Sequence, residues 1–72
     1  MNKTELEIEM KRHGDTGKTL SSYLGISPGT FSMKLNETKG AEFTQGEIMA
    51  IVKRYNLSPE RTSEIFFVEK VS

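Results

Sequence analysis

The chain has 72 residues, no cysteine, and ten basic residues balanced by ten acidic ones. That length suits one small domain burying only about 60% of its unfolded surface, and the lack of cysteine excludes a disulfide framework and a thiolate metal site. Stability must then come from helix packing, with dimerisation as a supplement, and with zero net charge any nucleic-acid function must rest on charge distribution.

The first element is a helix over Thr4–His13. Thr4 and Glu7 have the spacing of a capping box, and Leu6 and Met10 are four apart. Lys11, Arg12 and His13 precede Gly14, where basic side chains suit the negative end of the helix dipole. His13 is the only histidine, so it reads as a dipole partner and not as a metal ligand or catalytic base. Gly14-Asp15-Thr16-Gly17-Lys18-Thr19 carries the last residues of a phosphate-binding loop pattern, but Arg12 stands where that pattern needs its first glycine. Thr16 is better read as the N-cap of a second helix, with Lys18 and Thr19 exposed.

Leu20 and Leu24 lie on one face of that second helix, and Phe31 and Leu35 repeat the spacing in a third. Between them Gly25 is suited to the left-handed helix end, Ile26 turns inward, and Ser27-Pro28 is an N-cap followed by a first-turn proline. Two short helices joined by a three-residue turn make a helix-turn-helix over residues 16–36. A polar stretch from Glu37 to Glu42 reads as a loop. Thr44 with Glu47 forms a second capping box, and Phe43 and Ile48 have the spacing of a hydrophobic staple. Ile48, Ile51, Val52 and Tyr55 continue a helix that ends near Asn56, with Leu57 as an inward contact beyond it. Ser58-Pro59 opens a fifth helix in which Ile65 and Phe66 can close the bundle, leaving a short tail over residues 67–72. The expected fold is all-α, a compact bundle of five helices in a single domain.

The residues Leu20, Leu24, Gly25, Ile26, Phe31 and Leu35 resemble the apolar positions and turn glycine of the lambda-repressor and Cro type of helix-turn-helix family. With the flanking helices the resemblance covers roughly residues 4 to 66. Gly17 departs from it where the family usually has glutamine, Ser21 where alanine is frequent, and Lys34 where an apolar residue is common and Leu35 can take the inward role. The missing glutamine implies weaker or differently arranged anchoring by the second helix. The tail, Ile65-Phe66-Phe67 and Lys70-Val71-Ser72, also resembles that of short temperate-phage regulators.

The resemblance implies a DNA-binding transcriptional regulator, a repressor in a bacterial or phage-infected cell, whose third helix enters the major groove of double-stranded DNA. With the apolar face of that helix turned inward, Pro28, Gly29, Thr30, Ser32 and Met33 are left to meet base edges, without the Arg, Asn or Gln that make bidentate contacts. Lys18, Thr19, Ser27, Lys34, Asn36 and Lys39 are the candidates for phosphate or sugar contacts. From Thr16 to Ala41 three lysines face one acid, Glu37, giving a local excess of two positive charges. A homodimer is expected through Phe66, Phe67 and Val68, because a short helix cannot turn the whole run from Ile65 to Val68 toward one core. The alternative for Phe67 and Val68 is that they fold back on the domain's own surface.

The competing function is a protein-interaction module that keeps the bundle without binding DNA, in keeping with the neutral charge and sparse readers. An enzyme is the third class, disfavoured because no nucleophile is paired with a base and no metal-ligand cluster stands out. No cofactor or small-molecule ligand is expected. The run Ile65–Val68 is far short of the roughly 20 residues of a membrane span, and the acidic N-terminus does not read as a signal peptide, so the expected location is the cytoplasm.

Overall fold

Each helix begins where a side-chain oxygen can accept one of the backbone N–H groups that a first turn leaves unpaired. In the computed structural model, which describes residues 1–68, the helices are α1 (Lys3–Arg12), α2 (Gly17–Leu24), α3 (Pro28–Leu35), α4 (Gln45–Tyr55) and α5 (Pro59–Phe66), with a 3-10 turn at Thr38–Gly40. The described residues form no strand. The tail residues 69–72, including the Lys70-Val71-Ser72 motif, lie outside them.

Four of the five helix starts fall at the expected caps. Thr16 accepts from the Thr19 N–H at 3.2 Å while Thr19 Oγ1 accepts from the Thr16 N–H at 2.8 Å, a closed capping box. Thr44 and Glu47 close another, and Ser27 and Ser58 cap helices whose first residue is proline. The first helix differs. Its N-cap is Asn2, whose Oδ1 accepts from the Glu5 N–H at 3.2 Å, so Thr4 lies inside the helix and forms no capping box. The reason is tertiary. The Asn2 N–H donates to the Ile65 carbonyl at 2.6 Å, which draws the chain end against α5 and starts α1 earlier than the local pattern indicates.

Gly25 takes the left-handed conformation, φ 74°, and ends α2, after which the Ile26 N–H donates back to the Ser21 carbonyl at 3.0 Å. Asn56 does the same for α4 at φ 52°, with the Leu57 N–H on the Val52 carbonyl. The predicted loop after Asn36 contains the 3-10 turn, with Glu37 and Lys39 both at positive φ.

The core is one cluster drawn from every helix: Leu6 and Met10, Leu20, Phe31, Ile51 and Tyr55, Ile65 and Phe66, with Phe43 from the segment before α4. Phe43 is its hinge point, edge-on to Phe31 at 5.6 Å and to Phe66 at 6.3 Å between ring centroids. Leu24, Ile26, Leu35, Ile48 and Leu57 pack partly buried around it. Val52, expected on the inner face of α4, is only half-buried. Packing of α2 on α3, of α3 on the 3-10 turn, and of α1 on α5 gives a compact bundle with a Cα radius of gyration of 11.4 Å. No helix among the described residues is long and apolar enough to cross a membrane.

Candidate nucleic-acid interface

On α3 the inner face is fixed by Phe31, which is buried, and by Leu35 at its edge, so the opposite face has nowhere to go but outward. Pro28, Gly29, Thr30, Ser32 and Met33 are all exposed, and Met33 leaves 43% of its surface open. The five residues expected to face a ligand therefore share one exposed helix. A helix presented by α2 through the turn Gly25-Ile26-Ser27 can be laid against another molecule along its length.

The hydroxyl groups of this region are already in local bonds. Ser27 Oγ accepts the Thr30 N–H at 3.1 Å and donates to Thr30 Oγ1 at 2.9 Å. Asn36, the C-cap of α3, donates through Nδ2 to the Ser32 carbonyl at 2.9 Å and to Ser32 Oγ at 3.3 Å. Thr19 Oγ1 donates to Asp15 Oδ1 at 2.8 Å besides its part in the capping box. Ser27 and Thr19 thus serve helix starts first.

The expected cations divide into two kinds. Lys18, on the first turn of α2, and Lys39, in the turn packed on α3, are exposed and make no ion pair among the described residues. Lys34 is different. Its Nζ lies 2.7 and 2.9 Å from the two carboxylate oxygens of Glu47, and both side chains are largely shielded from water. Burial would raise the Glu47 pKa, but the Lys34 ammonium and the Thr44 backbone N–H outweigh it and hold the carboxyl below its usual range. Of the three lysines expected to meet phosphate, Lys34 is thus the one whose charge is paired within the protein.

One cation was not foreseen. Lys3, at the start of α1, donates to Asn36 Oδ1 at 2.6 Å and so brings an exposed ammonium to the C-terminal end of α3. A contact across 33 residues leaves no local signal. Equally unforeseen is the clamp behind α2. Asp15 accepts from Arg54 Nε at 2.8 Å, from Arg54 Nη2 at 2.9 Å and from the Tyr55 hydroxyl at 2.6 Å, while the Arg54 guanidinium lies 4.4 Å over the Tyr23 ring. Arg54 drives the Asp15 pKa far below the carboxylate range, against the effect of burial. Desolvation, with Asp15 adding to it, pushes the Tyr55 hydroxyl well above its ordinary value. His13, at the end of α1, stacks on Tyr55 at 4.5 Å.

The expected association surface is smaller than its sequence. Phe66 is 9% exposed and belongs to the core, which corrects its assignment to an interface. Phe67 and Val68, just past the end of α5, remain 62% and 44% exposed. Phe67 and Phe66 line a groove with Phe43 and Ile48, rimmed by Lys34 and Glu42. No protein-family model, curated protein or solved structure matches the chain.

Proposed function

We propose that the chain is a sequence-specific DNA-binding transcriptional regulator of the lambda-repressor and Cro type, with α2 and α3 as its helix-turn-helix. The observation that carries this reading is α3 itself: Phe31 in the core with Leu35 packed against it, exposed residues Pro28, Gly29, Thr30, Ser32 and Met33 on the outer side, and α2 behind it across a three-residue turn. In this reading α3 enters the major groove of double-stranded DNA, Lys18 and Lys39 meet phosphates, and Asn36 and Lys3 approach the backbone at the end of the helix. A role as a short phage or prophage repressor, acting in the bacterial cytoplasm as a homodimer through Phe67 and Val68, completes the proposal. Selection of bound duplexes from random DNA, with the salt dependence of their affinity, tests it. An enriched site whose affinity falls steeply with salt supports the reading, and equal binding to all duplexes rejects sequence specificity.

One observation favours a second reading, a helical protein-interaction module. The pairing of Lys34 with Glu47 removes one of three cations from an otherwise neutral molecule, while Phe67 and Val68 offer an apolar patch. Partner binding insensitive to salt, with no DNA affinity, is its signature.

A further inference from the structure

Opposite the inward stripe of α3 the backbone is bare. At about 100° per residue, Gly29 and Met33 fall on the far side of the helix from Phe31 and Leu35, so they mark the middle of its outer face, with Thr30 and Ser32 on either side. Met33 is exposed, and one turn before it stands a residue with no side chain. Nothing within the protein requires that glycine. Its backbone is ordinary helix, which any L residue adopts, and a Cβ built on it would meet nothing nearer than Ser27 Oγ at 4.0 Å. Alanine would fit there and would favour the helix more. Gly46, also the second residue of its helix, has an equally open Cβ position, 3.9 Å from Thr44 Oγ1, and so offers a like-for-like measure of the same change on stability.

We propose that Gly29 is a specificity-determining residue, a notch in the middle of the α3 outer face that seats the C5 methyl group of one thymine, with the Met33 side chain as its wall. This rests on the DNA-binding reading above and gives it a base preference. Long helical side chains lean back over the turn before them, which brings the Met33 chain alongside the bare Cα of Gly29. The thioether chain is apolar and adaptable, and a methyl group is the one apolar feature that distinguishes a base edge in the major groove. A Cβ at residue 29 would occupy the space that the methyl group needs. Glycine at this position therefore lets the helix backbone approach the base edge at its most outward point, at some expense to helix stability.

The test uses the full chain and the duplex it selects from random DNA, at one fixed salt concentration. Each thymine is replaced in turn by uracil, which removes the methyl group and leaves the pairing unchanged. At the thymine seated on Gly29 the replacement should weaken binding by the parent about fourfold, as expected for burial of one methyl group. Gly29→Ala should bind the unmodified duplex about tenfold more weakly, and for this variant the uracil replacement at that thymine should carry no penalty. Its melting midpoint should nevertheless rise, by about 2–8 °C, as should that of Gly46→Ala. Stability and binding thus move in opposite directions, which a merely structural glycine cannot produce. A Gly29→Ala protein that melts lower than the parent, or that binds equally well and keeps the same penalty for uracil, overturns the notch while leaving DNA binding intact; so does a parent indifferent to every uracil. Failure of the selection to enrich any duplex overturns both readings, and is distinguishable by that result alone.

Discussion

Asp15 and Arg54, 39 residues apart, form a two-pronged ion pair in which both carboxylate oxygens meet guanidinium nitrogens at 2.8 and 2.9 Å. The pair joins the segment between α1 and α2 to the end of α4, and the Tyr55 hydroxyl reinforces it from the core side. Because Asp15 also accepts from Thr19 in the capping box of α2, the same carboxylate fixes the start of the helix that backs α3.

Stability should therefore depend on acid in a definite direction. The folded Asp15 pKa is depressed, so its contribution is complete above the unfolded value near 4 and is lost as pH falls toward the folded one. Thermal unfolding followed from pH 6 to pH 2 should show a falling midpoint below about pH 4, with Glu47, also depressed, adding to the loss. Asp15→Asn should destabilise the protein by about 1–3 kcal/mol at neutral pH and flatten that acid limb. An unchanged limb in the variant would remove Asp15 from this role.

At the alkaline end the sign reverses. Tyr55 is held protonated by burial and by the adjacent Asp15 carboxylate, so its folded pKa is raised. Its contribution is present below the unfolded value of about 10 and is lost as pH climbs through the folded one. The absorbance of the Tyr55 phenolate should appear only as the protein unfolds at high pH, and Tyr55→Phe should abolish that step without removing the ring from the core.

What could be read from the chain alone was local. Thr16, Ser27-Pro28, Thr44 with Glu47, and Ser58-Pro59 announce helix starts because a cap acts within three residues, and Gly25 and Asn56 end helices for equally local reasons. The exposed face of α3 follows from Phe31 and Leu35 at the same range. The ion pairs were not legible, since Lys34 meets Glu47 and Arg61 meets Glu9 only after the helices have packed. Glu9 did leave a trace. It lies three residues after Leu6 and beside Met10, on the buried stripe of α1, where a carboxylate needs a partner; Arg61 supplies it at 2.7 Å. Asn2 displaced Thr4 as a cap through a bond to Ile65, which no local pattern contains.

The lysines can be ranked by salt dependence. Lys18→Ala and Lys39→Ala should each reduce the slope of log affinity against log salt by about one, whereas Lys34→Ala should change it little because Glu47 already holds that charge. Glu47→Gln should act in the opposite sense, releasing Lys34 and steepening the slope. Anisotropy titrations between 50 and 200 mM salt, roughly the range over which such contacts are resolved, read all four variants. Equal slopes for the Lys18 variant and the parent would remove Lys18 from the phosphate contacts.

Met33 separates binding from folding. Its exposure means that Met33→Glu should shift stability by no more than about 0.5 kcal/mol, while a carboxylate set against phosphates and base edges should weaken specific DNA binding about tenfold or more. Circular dichroism melting and a binding titration on the same sample give both numbers. Tight binding by a folded Met33→Glu protein would place α3 outside the groove.

The end of α5 distinguishes association from core packing at adjacent residues. Phe66 is enclosed with Phe43, so Phe66→Ala should cost about 3–5 kcal/mol and act on folding whatever the oligomeric state. Phe67 lies outside at 62% exposure, next to Val68, and its burial requires a second surface. If that surface is another copy, Phe67→Asp should leave the melting of the dilute monomer nearly unchanged yet abolish self-association at micromolar concentration. The DNA then supplies an independent readout. Two recognition helices related by a two-fold axis would meet successive major grooves about 34 Å apart, so the parent should occupy a pseudo-palindromic site as a pair while Phe67→Asp binds its half-sites independently and with lower affinity. Sedimentation equilibrium with and without the selected duplex measures both. A parent that stays monomeric and binds one copy per duplex, indistinguishable from Phe67→Asp, assigns the exposed phenylalanine to some other contact, because a symmetric pair cannot form without moving the equilibrium in the first experiment and the stoichiometry in the second.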